Sequence, residues 1–224
     1  MIKKFDFTQV DKFDKHIDLS IPNLQTLDNI FRSITHEYAQ PESIVLDMGC
    51  STGRFLSSLN KTEGCRYLGI DEVDIRKENT DFEFIKGDVE DMFLDKRLNY
   101  GYDPTNEVGH ISVVVSMFFL QFLGQAKRER VLNNLKTLVD SGAVLLIAEK
   151  VYLNDSSLQQ CIHRLHIQEK RKGFTDEEIL DKDLQLSVSM FCKREDELAE
   201  ELKKIGSVNK VWQSYNFMGF VVKR

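Results

Sequence analysis

The chain has 224 residues, 42% hydrophobic and 10% aromatic, which supplies one packed core without crosslinks and excludes a multidomain machine or a disordered chain. Thirty Lys and Arg stand against 36 Asp and Glu, and the net charge of -6 argues against a basic nucleic-acid coat or adhesion to anionic lipid. Cys50, Cys65, Cys161 and Cys192 form no C-x-x-C pair and no cluster at zinc-ligand spacing, so four free thiols in a reducing cytoplasm are expected, with no metal.

Residues 1–20 are charged and weakly periodic and read as an arm or lid, with no apolar run behind Lys3 and Lys4 to make a secretory signal. From Pro22, Leu24, Leu27, Phe31, Ile34 and Tyr38 recur at helical spacing, on one face of a helix that ends before Pro41. Short β-branched runs then alternate with helical stretches: Ile44–Met48, Tyr67–Ile70, Phe82–Ile85, Ile111–Ser116 and Ala143–Glu149. Several are apolar on both parities, as strands covered on both faces are. The stretch Ile111–Leu123, broken by Ser112, Ser116 and Gln121, falls short of the ~20 residues that span a bilayer, so no membrane partner is expected. Between the last two strands, Ala126, Val131, Leu132, Leu135 and Leu138 make an apolar stripe, with Lys127, Arg128, Glu129 and Arg130 predicted to face water. A polar loop spans Asp95–Gly109, a helical insertion Ser156–Met190 and a solvated helix Arg194–Lys204, and Val208–Gln213 pairs with Asn216–Val222 as a hairpin. The pattern predicts a Rossmann-like, doubly wound α/β fold: a mostly parallel seven-stranded sheet with a C-terminal antiparallel hairpin and helical lid insertions. Residues 1–40 are its arm and lid helix, and 41–224 the ligand-binding domain with an insertion at 151–192.

The chemistry concentrates at strand ends. Asp47-Met48-Gly49-Cys50-Ser51-Thr52-Gly53 joins a buried strand to a helix, the position where doubly wound sheets bind nucleotide-like ligands. Its G-x-x-x-G spacing is not the pyrophosphate cradle, and Asp47 would repel a diphosphate but suit an ammonium. Asp71 ends the next strand, near the ~20 residues beyond the glycine turn expected for an acid that holds both ribose hydroxyls. Asp88 ends the third strand, where an acid accepts from the exocyclic amine of adenine. Taken singly these acids read as a turn residue, a helix N-cap and a surface turn; taken in this order they point to an adenosine carrying an amino acid, S-adenosylmethionine. Gly49, Cys50, Ser51, Gly53, Glu72, Val89, Ser116 and Met117 complete the expected cofactor contacts.

These residues resemble the class I S-adenosylmethionine-dependent methyltransferases. The chain looks most like their carboxy-S-adenosylmethionine synthase branch, named also for tRNA uridine-5-oxyacetic acid methyl transfer, over about Ser20 to Val222. Its marks are Ser20-Ile21-Pro22, Asp47–Ser51, Leu120-Gln121-Phe122-Leu123, Glu149-Lys150, Gly173-Phe174-Thr175 with Glu178-Ile179, and Tyr215-Asn216-Phe217. In that branch an Arg donated across a dimer interface clamps the extra carboxylate. Here an ungapped alignment puts Asp183 at its position, while Leu24 replaces a Tyr and Met117 an Asn; a different gap leaves Arg171 or Lys182 as the clamp. The resemblance implies a homodimer. The expected activity is methyl transfer to a small or medium-sized acceptor, with synthesis of a modified S-adenosylmethionine and a catalytically inactive cofactor-binding module as alternatives. A tRNA substrate is weakly supported, because the basic clusters 127–130 and 170–172 read as solvated helix faces. His166, Glu149 and Tyr215 are the candidate general bases, although a lone His on an amphipathic helix, as His163 and His166 are, reads more often as a structural or surface residue; Trp212 and Phe217 read as core.

Overall fold

A computed structural model describes residues 13–76, 80–94 and 110–224. The proposed arm before residue 13 and the loop at 95–109 lie outside the described residues. Five strands run parallel: β1 (Ser43–Met48), β2 (Arg66–Asp71), β3 (Glu83–Lys86), β4 (His110–Met117) and β5 (Val144–Tyr152). The full order is β3-β2-β1-β4-β5-β8-β7, in which β7 (Ser207–Ser214) and β8 (Phe217–Lys223) are the expected antiparallel hairpin. An eighth, two-residue strand, β6 (Lys193–Arg194), pairs with the end of β5. The order reverses at β1 and β4, so the loops after these two strands part and leave a crevice at the carboxyl ends.

All six residues of β1 are buried, because helices cover both faces of the sheet. Leu46, Met48, Val114, Leu145 and Ile147 pack with helix α5 (Gln125–Asp140) and helix α8 (Glu195–Lys203) on one face. Val45, Val113, Val115 and Leu146 pack with helix α2 (Leu24–Tyr38) and helix α3 (Arg54–Ser57) on the other. Helix α2 follows the expected span, burying Leu24, Leu27, Phe31 and Thr35, and it stops at Tyr38, with Ala39 extended two residues before Pro41.

Three elements sit over the crevice: helix α1 (Phe13–Ser20) and the two helices of the insertion, α6 (Ser156–Lys170) and α7 (Asp176–Ser187), roof it, while helix α4 (Val89–Leu94) packs beside α5. The insertion is two helices, broken at Gly173, where a Cβ would lie 2.7 Å from Leu19 Cδ1 of α1. A capping box starts α7: Thr175 Oγ1 accepts the Glu178 N–H at 3.2 Å and Glu178 Oε2 accepts the Thr175 N–H at 2.7 Å.

The predicted water-facing run 127–130 is corrected in part. Arg128, 1% exposed, points inward from α5, its Nη1 3.3 Å from Glu149 Oε2 on β5 and its Nη2 2.7 Å from Glu201 Oε2 on α8. A guanidinium satisfies two carboxylates at once, and this clamp ties both helices to the central strand. Replacing Arg128 with Ala is expected to cost about 3–5 kcal/mol in urea unfolding, because Glu149 is left buried and uncompensated; Arg128→Met with Glu149→Leu should recover most of that loss.

Candidate active site

The turn after β1 is built to bring backbone close to a ligand. Gly49 has φ +69°, and a Cβ there would lie 2.4 Å from the Phe119 ring. The Gly49 and Cys50 amides both donate to Ile70 O, at 2.8 and 3.1 Å, locking the turn to β2. Asp71, at the end of β2, accepts the Ser51 N–H at 2.9 Å through Oδ2 and the Val73 N–H at 2.9 Å through Oδ1. Burial pushes the Asp71 carboxyl up, and these two amides oppose the shift.

A cavity of about 850 Å³ opens above this turn, within the size range of cofactor sites. Asp47, Gly49, Cys50, Ser51, Asp71, Glu72 and Met117 all line it. Asp47 is 3% exposed, and among the described residues no Lys, Arg or His forms an ion pair with it. Burial first, then Asp71 and Asp28, push its carboxyl well above the usual range. A buried acid facing a cavity without a counter-ion is complementary to the ammonium of an amino acid. The Ser51 hydroxyl is likewise buried without a protein partner. These groups fit the amino-acid and ribose parts of S-adenosylmethionine.

The other half of the cavity has the opposite sign. Lys150 at the end of β5, Lys170 and His166 on α6, and Lys182 on α7 all line it. Lys170 lies 3.1 Å from Asp183, which is therefore engaged by an ion pair. Lys182 contacts His16 Nε2 and donates to Ser20 Oγ at 2.9 Å; burial, then Lys170, lowers its ammonium to about 7. Burial lowers Lys150 as well. Burial also lowers His16 and His166 to about 4, so both imidazoles are neutral at neutral pH. His166 Nε2 bonds Ser20 O at 2.8 Å. Gln121 fixes the floor, with its Oε1 accepting the Lys150 N–H at 2.9 Å and its carbonyl accepting the Phe191 N–H at 2.6 Å.

The remaining expected residues stand elsewhere. Glu149 belongs to the Arg128 clamp and does not line the cavity; side chains alternate along a strand, so Lys150 projects to the cavity and Glu149 to the core. Burial raises the Glu149 carboxyl to about 7 against the pull of Arg128. Tyr215 occupies the hairpin turn at φ +54°, its ring 5.9 Å from the His166 ring, behind the lining. Gly53 starts α3 against the Phe82 ring, Val89 is core, and the buried Ser116 hydroxyl has no protein partner. Asp88 is off the lining, tied to Lys127 at 2.6 Å. Trp212 and Phe217 are both buried, and Phe217 also lines the cavity. Among the described residues no cluster of His, Cys, Asp or Glu is placed to hold a metal, and no helix is long and apolar enough to cross a membrane.

This sheet, crevice and glycine turn define a class I S-adenosylmethionine-dependent transferase. The methyltransferase domain family matches residues 24–206, and the chain belongs to it. A carboxy-S-adenosyl-L-methionine synthase of Idiomarina loihiensis is 30% identical over 95% of this chain and 89% of its own. The synthase of Hydrogenovibrio crunogenus is 28% identical over 97% and 88%. An O-methyltransferase family protein from Burkholderia thailandensis superposes with a TM-score of 0.54 at 13% identity, over 89% of this chain and 55% of that one, and shares the fold. Replacing Asp71 with Ala removes the acid that holds the turn and lines the cavity; calorimetry with S-adenosylhomocysteine is expected to show binding weakened by about tenfold or more.

Proposed function

We propose that the protein transfers a group between S-adenosylmethionine and a small anionic second ligand held beside Lys150, Lys170 and Lys182. The observation that carries this reading is the convergence of three lysines on one part of the cavity: Lys150, Lys170 and Lys182 all line it, and Lys170 is buried beside Asp183. Buried charge of one sign calls for a counter-ion, and a bound carboxylate supplies it. The cofactor brings an electrophilic methyl on a sulfonium. The chain's task is then to align the acceptor, exclude water under α1, α6 and α7, and take a proton where the acceptor carries one. His166 is the expected general base that fronts the cavity.

The transferred group is a methyl in the first reading, with an acidic small molecule as acceptor. A second reading, formation of a carboxylated S-adenosylmethionine, is favoured by the same lysines and by the synthase relatives. The loss of an Arg to Asp183 counted against it, yet Asp183 is paired with Lys170 and Lys182 faces the cavity. Arg171, the other alternative for the clamp, is exposed and paired with Asp176. A tRNA substrate gains no support from the basic clusters, because Lys127, Arg130, Arg171 and Lys172 each pair with a carboxylate. The homodimer remains part of this proposal, through the apolar faces of α6 and α7, where Leu158, Leu165, Leu180, Leu184 and Val188 are exposed.

Native mass spectrometry of the purified protein tests the reading. A bound species heavier than S-adenosylmethionine by one carboxyl group selects the synthase, methylated product from a panel of small acids selects the first reading, and cofactor binding with neither product leaves a non-catalytic module. The same spectra are expected to show a dimer that Leu184→Glu converts to monomer. Anion affinity is also expected to depend on pH. With no anion bound, Lys182 loses its proton near pH 7, whereas a bound anion favours the ammonium. Malonate, as a probe titrated by calorimetry with S-adenosylhomocysteine present, should bind evenly below about pH 7 and then weaken by up to about tenfold per pH unit, and Lys182→Met should flatten that profile.

A further inference from the structure

Among the described residues, one ammonium sits among the acids at the cofactor end of the cavity. Lys127, in the first turn of α5, places Nζ 2.6 Å from Asp88 Oδ2 and 3.1 Å from Glu72 Oε1. Asp88 is committed on its other side as well, because Oδ1 accepts the Glu90 N–H at 2.8 Å and caps α4. Lys127 and Glu72 line the cavity, and Asp88 does not. An ammonium carries three N–H groups; two are spent on Glu72 and Asp88, and the third has no acceptor among the described residues.

The neighbours of this third N–H suit a flat base. Val73 and Ile75 after β2 and Leu123 before α5 give this part of the cavity apolar lining, and Lys127 lines it beside the Glu72 carboxylate. The sequence expectation put an acceptor there, Asp88, for the exocyclic amine of adenine. The folded chain presents a donor instead, complementary to the lone pairs of the purine ring nitrogens.

We propose that Lys127, and not the carboxylate of Asp88, reads the base of the adenosyl group by donating its remaining N–H to a purine ring nitrogen. Burial opposes the charge on Lys127, but Asp88 and Glu72 more than offset it and hold the ammonium above its ordinary value. Asp88 is held below the usual carboxylate range, with Lys127 and the Glu90 amide outweighing burial. The pair therefore stays charged across the neutral range, and donation toward the base is always available. Specificity then falls on the ring nitrogens more than on the amine.

Calorimetry with S-adenosylhomocysteine and its 1-deaza, 3-deaza and 7-deaza analogues tests the proposal, since each analogue replaces one ring nitrogen with C–H. The unaltered protein is expected to bind one of the three about tenfold or more weakly than the parent, and the others like the parent. In Lys127→Met the parent should fall to the level of the penalised analogue, and the penalty itself should vanish; Lys127→Arg, which keeps the charge and the Asp88 pair, should retain most of it. The proposal is overturned if no analogue is penalised in the unaltered protein, a result that needs no variant. It is equally overturned if Lys127→Met weakens all four ligands by one factor, as a purely structural role would, or if the penalty survives that substitution. Failure of the unaltered protein to bind S-adenosylhomocysteine at all would instead sink the cofactor site.

Discussion

Groups of two opposite charges are gathered in one crevice. Asp47 faces the cavity 3% exposed with no ion pair among the described residues, and Lys150, Lys170 and Lys182 face it from the other side, Lys170 paired with Asp183. Holding such groups out of water costs several kcal/mol per ion unless a partner arrives. A cavity polarised in this way is a template for a ligand pair whose charges run the other way, an amino acid's ammonium at one end and an anion at the other. The acceptor class, the pH dependence and the need for a roof all follow from that polarity.

The scaffold carries this load because its centre is dry and rigid. β1, β4 and β5 are buried along nearly their whole length, and the Arg128 clamp ties α5 and α8 to β5 immediately behind Lys150. The roof is stitched from both sides. On the cofactor side, α1 meets the turn through Asp14 and Thr52 at 2.6 Å and through Asp18 and Arg54 at 2.6 Å. On the other side, His16 meets Lys182 and Ser20 meets both His166 and Lys182. A short helix thus spans the two halves of the cavity.

Local pattern made most of the fold legible. Alternating apolar runs located the five parallel strands and the closing hairpin, and the glycine turn located the crevice, because strand period and glycine conformation are properties of neighbouring residues. The cavity lining was legible mainly where it follows the chain in the same way, at Asp47, Gly49, Cys50, Ser51, Asp71, Glu72 and Met117. Arg128 was misplaced because its neighbours in sequence are charged, although it falls three residues before Val131 on the buried stripe of α5. Glu149 was read toward the cavity for want of one parity step along β5. A signal for the lysine cluster did exist: Ile162, His166 and Lys170 share one face of α6, so the packed stripe of that helix runs from an apolar residue into two polar ones.

The departures from the synthase branch take on a different weight once the helices are built. Consecutive residues of a helix point about 100° apart, so an alignment that assigns Asp183 to the clamp says nothing of its neighbour. Lys182 lines the cavity, and Asp183 turns aside to hold Lys170. An ammonium is a point charge and lacks the two-pronged match of a guanidinium to a carboxylate. One lysine is therefore a poor substitute for the missing Arg, whereas three lysines from β5, α6 and α7 on one cavity, as in the proposed function, would hold an anion by summed charge and leave its orientation to the walls around it. Such a site tolerates variation in the shape of the anion more readily than a forked clamp does, and its selectivity has to come from Met117, Leu24 and the aromatic floor at Phe118 and Phe217, where the chain also departs from the branch at the first two positions.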